Sequence, residues 1–429
     1  MAYGVTEAPV GQAAPAGING DVFGRRGNRF HPYLSVLGIY SDNIFSTRIN
    51  RLSDYTLIVS PGFWFASPGS KERILAINTS SVTPGGLMLS RYKGEIPRRF
   101  QSYLLYGADI ERFREFAKLD AVSHTLEGFA QYNFRSGLSV DLVDKFKASQ
   151  DGGVSVDFTD QHLTSLDDRG LLVIADLQEY TTNLLSASTA YDPHEKLTLR
   201  LDLSNFVVDY RDAEANFRDR VDWTWSGYGE FKFKPKTSFF LEYDFLDVRY
   251  RAGGLNDSRE HNFFAGLRWD MTAKSKGRLK AGAGVKDFTK REGSDSDNWL
   301  FELHLEHNFS EKRWVKMIIL RMVNESTAAE QDYTLTSRIN GYYNHRLTAK
   351  LLARLNFSYT HQTYVTSSPA GQATADLEDD IYTVAPMVEY TIRDWLTSEV
   401  SYVNVRRYSL REELDYVNNI GFLRFTAAF

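Results

Sequence analysis

The sequence of 429 residues contains no cysteine, which excludes disulfides, thiolate metal sites and c-type haem attachment motifs in this chain. No stretch approaches about 18 consecutive apolar residues, so membrane-spanning helices are excluded as well. The mean hydropathy is negative, at -0.37. The net charge of -5 is small for this length and comes without a basic patch, so no nucleic-acid partner is expected.

Aromatic residues, in contrast, are abundant, with 24 Tyr and 28 Phe spread along the chain in alternation with polar residues. In residues 220–233 one face of a strand carries Val221, Trp223, Trp225, Gly227, Gly229, Phe231 and Phe233, and the other carries Asp222, Thr224, Ser226, Tyr228, Glu230 and Lys232. One face suits lipid and the other suits water, which is typical of a transmembrane β-barrel. A soluble β-sandwich also alternates, but sandwiches seldom have so many strands of this length in one unbroken meander.

From about residue 30 onward, alternating runs are joined in turn by short polar turns and longer polar loops. This order predicts an all-β fold, a transmembrane antiparallel up-and-down barrel of outer-membrane type, formed by residues 30–429. A first count gives an odd number of strands if residues 73–83 are included, whereas an even-numbered bacterial barrel keeps both chain ends on one side. We therefore expect 18 strands, with 67–99 as a periplasmic insertion and 151–179 as a long extracellular loop.

The chain ends in an amphipathic strand whose last residue is Phe429. A closing barrel strand that ends in Phe resembles the signal read by the outer-membrane insertion machinery. We therefore expect an integral protein of the outer membrane of a Gram-negative bacterium, delivered through the periplasm after cleavage of a signal peptide. Residues 1–29, rich in Gly, Ala and Pro, are expected to form a flexible periplasmic leader.

The face opposite the apolar one is predicted to line the pore. Its members combine charges of both signs with tyrosine, namely Asp222, Tyr228, Glu230, Lys232, Glu242, Asp244, Arg268, Asp270, Arg278, Lys280, Glu302, Arg338, Tyr342, Arg354, Glu399 and Arg424. Such a wall is wet and has no strong ion selectivity, and its aromatic rings offer surfaces on which a sugar could stack. Aromatic residues near strand ends, among them Trp223, Trp299, Trp314 and Trp395, are expected in the interfacial girdles.

Near the amino end, the run Tyr40-Ser-Asp-Asn-Ile-Phe45 is followed by Ser53-Asp-Tyr55 and by Ser60-Pro-Gly62. These motifs resemble the opening of the outer-membrane β-barrel porin family associated with exopolysaccharide biosynthesis and export. The later hairpins are similar to that family in length and rhythm. The resemblance implies a barrel of about this size that serves as an outer-membrane conduit for a secreted polysaccharide.

The function expected on these grounds is a passive conduit for exopolysaccharide. Two alternatives stay open: a structural barrel that sheathes a partner protein such as a multihaem cytochrome, and a general diffusion porin. The expected partners are outer-membrane lipid and lipopolysaccharide, with a periplasmic export or cytochrome partner at 1–29 and 67–99. No residue constellation predicts an enzyme or a cofactor. His304 and His307, for example, are three apart on a strand and point to opposite faces, so they cannot share a metal ion.

Overall fold

The computed structural model describes residues 29–67, 99–151, 178–213, 215–251, 256–272, 274–290, 296–326, 331–367 and 373–429. The predicted leader, the insertion and the long extracellular loop lie outside the described residues, apart from their flanking positions. In the part of the chain that is described, no helix is long and apolar enough to cross a membrane.

Eighteen strands run along the described residues: β1 Phe30–Ser41, β2 Asp54–Ser67, β3 Phe100–Phe113, β4 Ala121–Asn133, β5 Leu138–Asp151, β6 Gln178–His194, β7 Leu197–Tyr210, β8 Arg220–Lys234, β9 Thr237–Tyr250, β10 Ser258–Thr272, β11 Ser275–Phe288, β12 Ser296–Ser310, β13 Arg313–Glu325, β14 Tyr333–Arg346, β15 Leu351–Ser367, β16 Ala373–Arg393, β17 Leu396–Ser409 and β18 Tyr416–Ala428. Each strand pairs antiparallel with its neighbours in sequence, and β1 pairs with β18. The sheet is therefore closed, and the predicted up-and-down barrel of 18 strands is confirmed.

The strand registers determine the width of the barrel. Followed through the paired residues from β1 round to β18 and back, the register returns to β1 displaced by about 22 positions. Strands about 4.8 Å apart that rise about 3.3 Å per residue are then tilted by about 40°. The backbone cylinder is roughly 36 Å across, which is wide enough to enclose more than the side chains of its own wall.

The two ends of the barrel differ in their connections. Two-residue turns at 195–196, 235–236, 311–312 and 394–395 lie at the end that also holds the first residue of β1 and the last residue of β18. At the same end, Gly137 closes the 134–137 turn with a φ of 84°, a conformation that favours glycine. We call this the turn end. The opposite end, with longer connections such as 42–53 and 211–219, is the loop end.

The two faces of the wall differ as the two-residue period predicts. Apolar side chains of the outward face are exposed, with Leu201 at 68% and Trp299 at 61%. Charged side chains of the inward face are buried, with Asp222 and Lys280 both at 0%. In β8 the rings of Trp223 and Trp225 are outward and stack at 5.9 Å, so the alternation predicted for this strand is confirmed.

The aromatic residues near the strand ends do not all face lipid. Trp395 and the terminal Phe429 are exposed at the turn end, and their rings stack with centroids 5.6 Å apart. Trp314, by contrast, lies opposite Asn308 and Asn344 on the inward face and is buried. Its expected place in an interfacial girdle is therefore wrong, because closeness to a strand end does not determine which face a side chain occupies.

Candidate functional site on the inward face

One row of directly opposed residues follows the inward face from β8 to β18. Opposed residues on adjacent strands share a face, so the row defines which positions point inward. Its members are Glu230, Phe240, Gly266, Lys280, Glu302, Leu320, Arg338, Thr360, Ile381, Arg407 and Tyr416. Each of the sixteen residues predicted to line the pore is in this row or an even number of positions from it along its strand. Asp270, at the irregularity near the end of β10, is exposed, and the pore-lining role of the set stays a prediction.

Lys280 is the centre of a buried ion cluster on this face. Its Nζ lies 2.6 Å from Glu242 Oε1 and 3.6 Å from Glu302 Oε2. The same ammonium lies 4.3 Å from the ring centre of Phe264, an inward aromatic residue. Glu302 is also contacted by the imidazole of His304. Because a buried charge is costly unless it is paired, this arrangement holds both carboxylates and the lysine in place.

The same local pairing recurs around the wall. Arg354 bonds Glu389 at 3.1 Å, Arg407 bonds Asp379 at 2.7 Å, and Arg220 bonds Asp222 at 3.0 Å. All six side chains are buried. The sequence analysis included only Asp222 and Arg354 among these residues. The strand period marks all of them as inward and places Arg220 beside Asp222 on β8, but only the register shows that Arg354 lies near Glu389 and Arg407 near Asp379.

A sector of the inward face is apolar, which the sequence analysis missed. Ten buried residues of β16, β17, β18, β1 and β2 form one cluster, namely Leu37, Ile39, Ile58, Ile381, Ala385, Val403, Val405, Tyr416, Ile420 and Phe422. A second inward cluster lies toward the turn end of β2 to β5, where Trp64 stacks on Tyr103 at 4.7 Å. The inward wall therefore alternates between sectors of paired charge and sectors of apolar side chains.

Exposure of the inward face differs between the two ends of the barrel. At the loop end, inward residues such as Arg220, Lys286 and Thr336 are buried to 3% exposure or less. At the turn end of β8 to β13, inward residues such as Lys276 and Arg268 remain partly or fully exposed. At the turn end of other strands, inward residues such as Leu352 and Gln101 are buried, so the described inward face is most accessible at the turn end of β8 to β13.

The motifs near the amino end tie the loop end together at the seam of the barrel. Asn43 is fully buried and donates from Nδ2 to the backbone carbonyls of Thr47, at 2.7 Å, and Val417, at 3.0 Å. Asp42 accepts the backbone N–H of Asn419 at 2.7 Å. These two side chains link the first loop to β18. Their role is therefore structural, and it explains why polar residues follow β1 at this point.

Gly62, in the third motif, leaves room for an inward tyrosine. A Cβ at Gly62 would lie 2.3 Å from Cζ of Tyr33, and one at Gly107 would lie 2.6 Å from its Oη. The Tyr33 ring thus lies flat across the inner surface of β2 and β3 instead of projecting into the lumen. Two glycines on neighbouring strands make this possible because they have no side chain at the points of contact.

The described ranges contain no group of three or more His, Cys, Asp or Glu side chains that could hold a metal ion. His304 points inward to Glu302, whereas His307 lies on the other face and bonds Ser275 Oγ at 2.8 Å. The prediction that these two histidines face opposite sides is confirmed.

Comparison with known proteins places the barrel in context. A model of the family described as Putative beta-barrel porin 2 matches residues 27–429. No curated relative matches significantly. Among solved structures, the outer-membrane protein OpdK of Pseudomonas aeruginosa is 10% identical over 93% of this chain and 99% of its own, with a TM-score of 0.44. The siderophore receptor PirA of Pseudomonas aeruginosa is 9% identical over 94% of this chain and 81% of its own, with a TM-score of 0.45.

Proposed function

Because the chain belongs to the family Putative beta-barrel porin 2, we propose that this outer-membrane β-barrel porin is a conduit for a secreted exopolysaccharide. In this proposal the turn end faces the periplasm, since bacterial outer-membrane barrels keep their short turns and both ends of the chain on that side. The loop end then faces the outside, and the polymer enters where the inward face is most accessible.

The observation that carries the proposal is the pairing of charges on the inward wall. Each buried cation described above contacts a carboxylate within 4 Å, so the wall presents many hydrogen-bonding groups with little net field. A wall of this kind suits a hydrated solute rich in hydroxyl groups better than it suits selection of one small ion. Polysaccharide is such a solute.

Two partly exposed tyrosines add surfaces that suit sugars. Tyr228 lies on the inward face of β8, with the guanidinium carbon of Arg200 5.5 Å from its ring centre. Tyr342 lies on the inward face of β14, directly opposite Lys316. An aromatic ring offers an apolar face, and neighbouring charged groups can bond the hydroxyls at the edge of a sugar.

A sheath for a partner protein is the second candidate. The inward apolar cluster around Ile420, Phe422 and Val403 favours it, because packed protein covers apolar side chains better than a hydrated polymer does. A general diffusion porin is the third candidate, and the burial of the described inward face at the loop end does not distinguish it from the conduit, because both need an open path there.

Conductance of the purified barrel in planar bilayers tests the proposal. We expect a weakly ion-selective conductance that oligosaccharides block. In the variant Tyr228→Ala/Tyr342→Ala the block should weaken while the conductance of the unblocked channel stays the same. Tyr390→Ala is the matched control, because Tyr390 is an exposed tyrosine of the outward face. Conductance that appears only with a partner protein supports the sheath, and ion selectivity without sugar block supports a diffusion porin.

A further inference from the structure

The turn end of β8 to β13 gathers basic side chains that are far apart in the sequence. Five of them lie on the inward face in the two rows nearest this end, and we call them the basic arc: Lys232, Arg268, Lys276, Arg278 and Lys316. Exposed turns beside the arc add Lys236, Lys274 and Lys312. The sequence analysis did not identify this group, because the register brings together residues from four strands, β8, β10, β11 and β13.

Acidic residues are fewer in these two rows. Asp270 and Glu306 are the acids among the described inward positions there. Glu306 lies directly between Lys276 and Lys316 on the neighbouring strands. Deeper in the wall, Glu230 contacts Arg268 at 3.2 Å and Glu242 lies 3.7 Å from Arg278. The arc thus keeps an excess of positive charge, although the whole chain has a net charge of -5.

Two arginines of the arc lie side by side, and each is also within 4 Å of one carboxylate, that of Glu230 or that of Glu242. Arg268 and Arg278 are directly opposed on β10 and β11 and share the inward face. Like charges in this position repel and destabilise a sheet. The Arg278 guanidinium carbon lies 5.2 Å from the ring centre of Phe240, along the wall. A pair of opposed guanidinium groups becomes favourable when an anion binds between them, and the planar groups match carboxylates well.

The basic arc is more exposed to solvent than the buried ion pairs deeper in the barrel. The Arg268 side chain is 25% exposed, whereas the Lys280 side chain, in the next row inward, is 0% exposed. The arc therefore forms the accessible edge of the lumen at the turn end. Its side chains face the lumen, so they are not placed to contact the headgroups of surrounding lipid.

We propose that the basic arc receives an anionic polysaccharide, one that carries carboxylates such as uronic acids, at the entrance of the lumen. The inference rests on the proposed function and specifies the chemical class of the polymer. Opposed arginines and neighbouring lysines would bind successive carboxylates along the chain. The acidic groups of the polymer would thereby offset the repulsion within the arc.

The test uses fluorescently labelled oligogalacturonate and a neutral maltooligosaccharide of equal length, with the full barrel in a non-ionic detergent. Fluorescence anisotropy gives the affinity at low and at moderate salt. We expect the acidic oligomer to bind more tightly than the neutral one, and its affinity to fall as salt rises. The variant Lys232→Gln/Lys276→Gln/Lys316→Gln should lower its affinity by about tenfold.

The matched control is Lys236→Gln/Lys274→Gln/Lys312→Gln, which removes the same charge from the turns at the same end. It should change the affinity less than about threefold. Equal losses in both variants would show a diffuse field of the kind that attracts anionic lipid headgroups, and would overturn the proposal. Equal binding of both oligomers would contradict the proposal that the polysaccharide is acidic, but would not contradict the proposed conduit. Loss of oligosaccharide block in bilayers, in contrast, would contradict the conduit itself.

Discussion

The carboxylate of Asp219 accepts the backbone N–H of Tyr210 at 2.7 Å, which joins the last residue of β7 to the residue just before β8. The same arrangement recurs at three other connections of the loop end, with the pairs Asp120 and Phe113, Asp257 and Tyr250, and Asp415 and Ser409. An aspartate directly before the returning strand thus closes each of these loops. The repetition indicates that these four loops are closed by the same local hydrogen bond between an aspartate and the backbone.

Replacement of Asp219 tests this closure. Burial raises the pKa of Asp219, although the hydrogen bond from the Tyr210 N–H favours the charged form and acts in the opposite direction. Asp219→Ala should lower the free energy of unfolding by about 1 kcal/mol, and Asp219→Asn should lower it less, because the amide oxygen accepts the same N–H. Urea unfolding followed by tryptophan fluorescence measures both. Asp212→Ala, in the same loop, is the control, and equal losses for Asn and Ala at 219 would contradict the explanation.

The raised pKa also sets the sign of a pH effect. The folded state favours the neutral carboxyl, so the contribution of Asp219 to stability is most favourable at low pH and declines as pH rises from the usual aspartate pKa through the higher folded one. The Asp219→Asn variant should lack this decline. Unfolding titrations of both proteins across that pH window compare the slopes, and identical slopes would contradict the prediction.

Removal of the cation at the centre of the buried cluster should be strongly destabilising. Lys280→Met leaves Glu242 and Glu302 in the wall without their shared partner, and we expect a loss of about 3–5 kcal/mol in the free energy of unfolding. The double variant Lys280→Met/Glu242→Gln should recover part of it, because one of the two buried charges is gone. Lys276→Met is the control, because Lys276 is an exposed lysine of the same strand, four positions from Lys280 toward the turn end. A double variant less stable than Lys280→Met would count against the electrostatic explanation.

The contact between Tyr33 and Gly62 predicts a coupled pair. Gly62→Ala should cost about 1–3 kcal/mol, because the new methyl group occupies the place of the Tyr33 ring. In Tyr33→Ala/Gly62→Ala the cost of the glycine change should largely disappear, which a double-mutant cycle measures. Gly421→Ala is the control, since no atom lies within 4 Å of the added Cβ. Additive effects of the two changes would rule out the contact.

The terminal aromatic residue should have two separable effects. Trp395→Ala removes the stack with Phe429 and should lower stability by about 0.5–1.5 kcal/mol without reducing the amount of barrel inserted in cells. Phe429→Ala should reduce both, since it also removes the aromatic end that resembles the insertion signal. Heat-modifiable mobility in gels measures the folded fraction in membranes. If the unchanged protein and both variants are inserted in equal amounts, Phe429 has no role in assembly.

The alternation of single strands predicts the outward face well and the inward face incompletely. In β8, lipid requires apolar side chains at every outward position, so Trp223 and Trp225 are placed correctly from the period alone. The inward side chains of β18 include Ile420 and Phe422 beside Arg424, because their chemistry depends on what packs against them. Such contacts depend on residues of other strands, so the sequence pattern of one strand does not reveal them.

Strand register explains why the sequence analysis did not identify the basic arc. The basic arc and the pair Arg268 and Arg278 arise from residues on separate strands that the register aligns. Composition showed only a small negative net charge, since the acids elsewhere in the chain offset the arc. The pattern along one strand predicts which face each side chain occupies. Which residues become neighbours across strands depends on how the strands pair in the sheet.

The pairing of β1 with β18 has a consequence for the order of folding. Ser35 and Thr426 join their hydroxyls across this seam at 3.2 Å, although 391 positions separate them. The partner of the first described strand is therefore the last of the described strands to be made. Until it arrives, β1 and β17 each present an unpaired edge that can recruit another chain and aggregate. A chain cut short before β18 would leave both of these edges open.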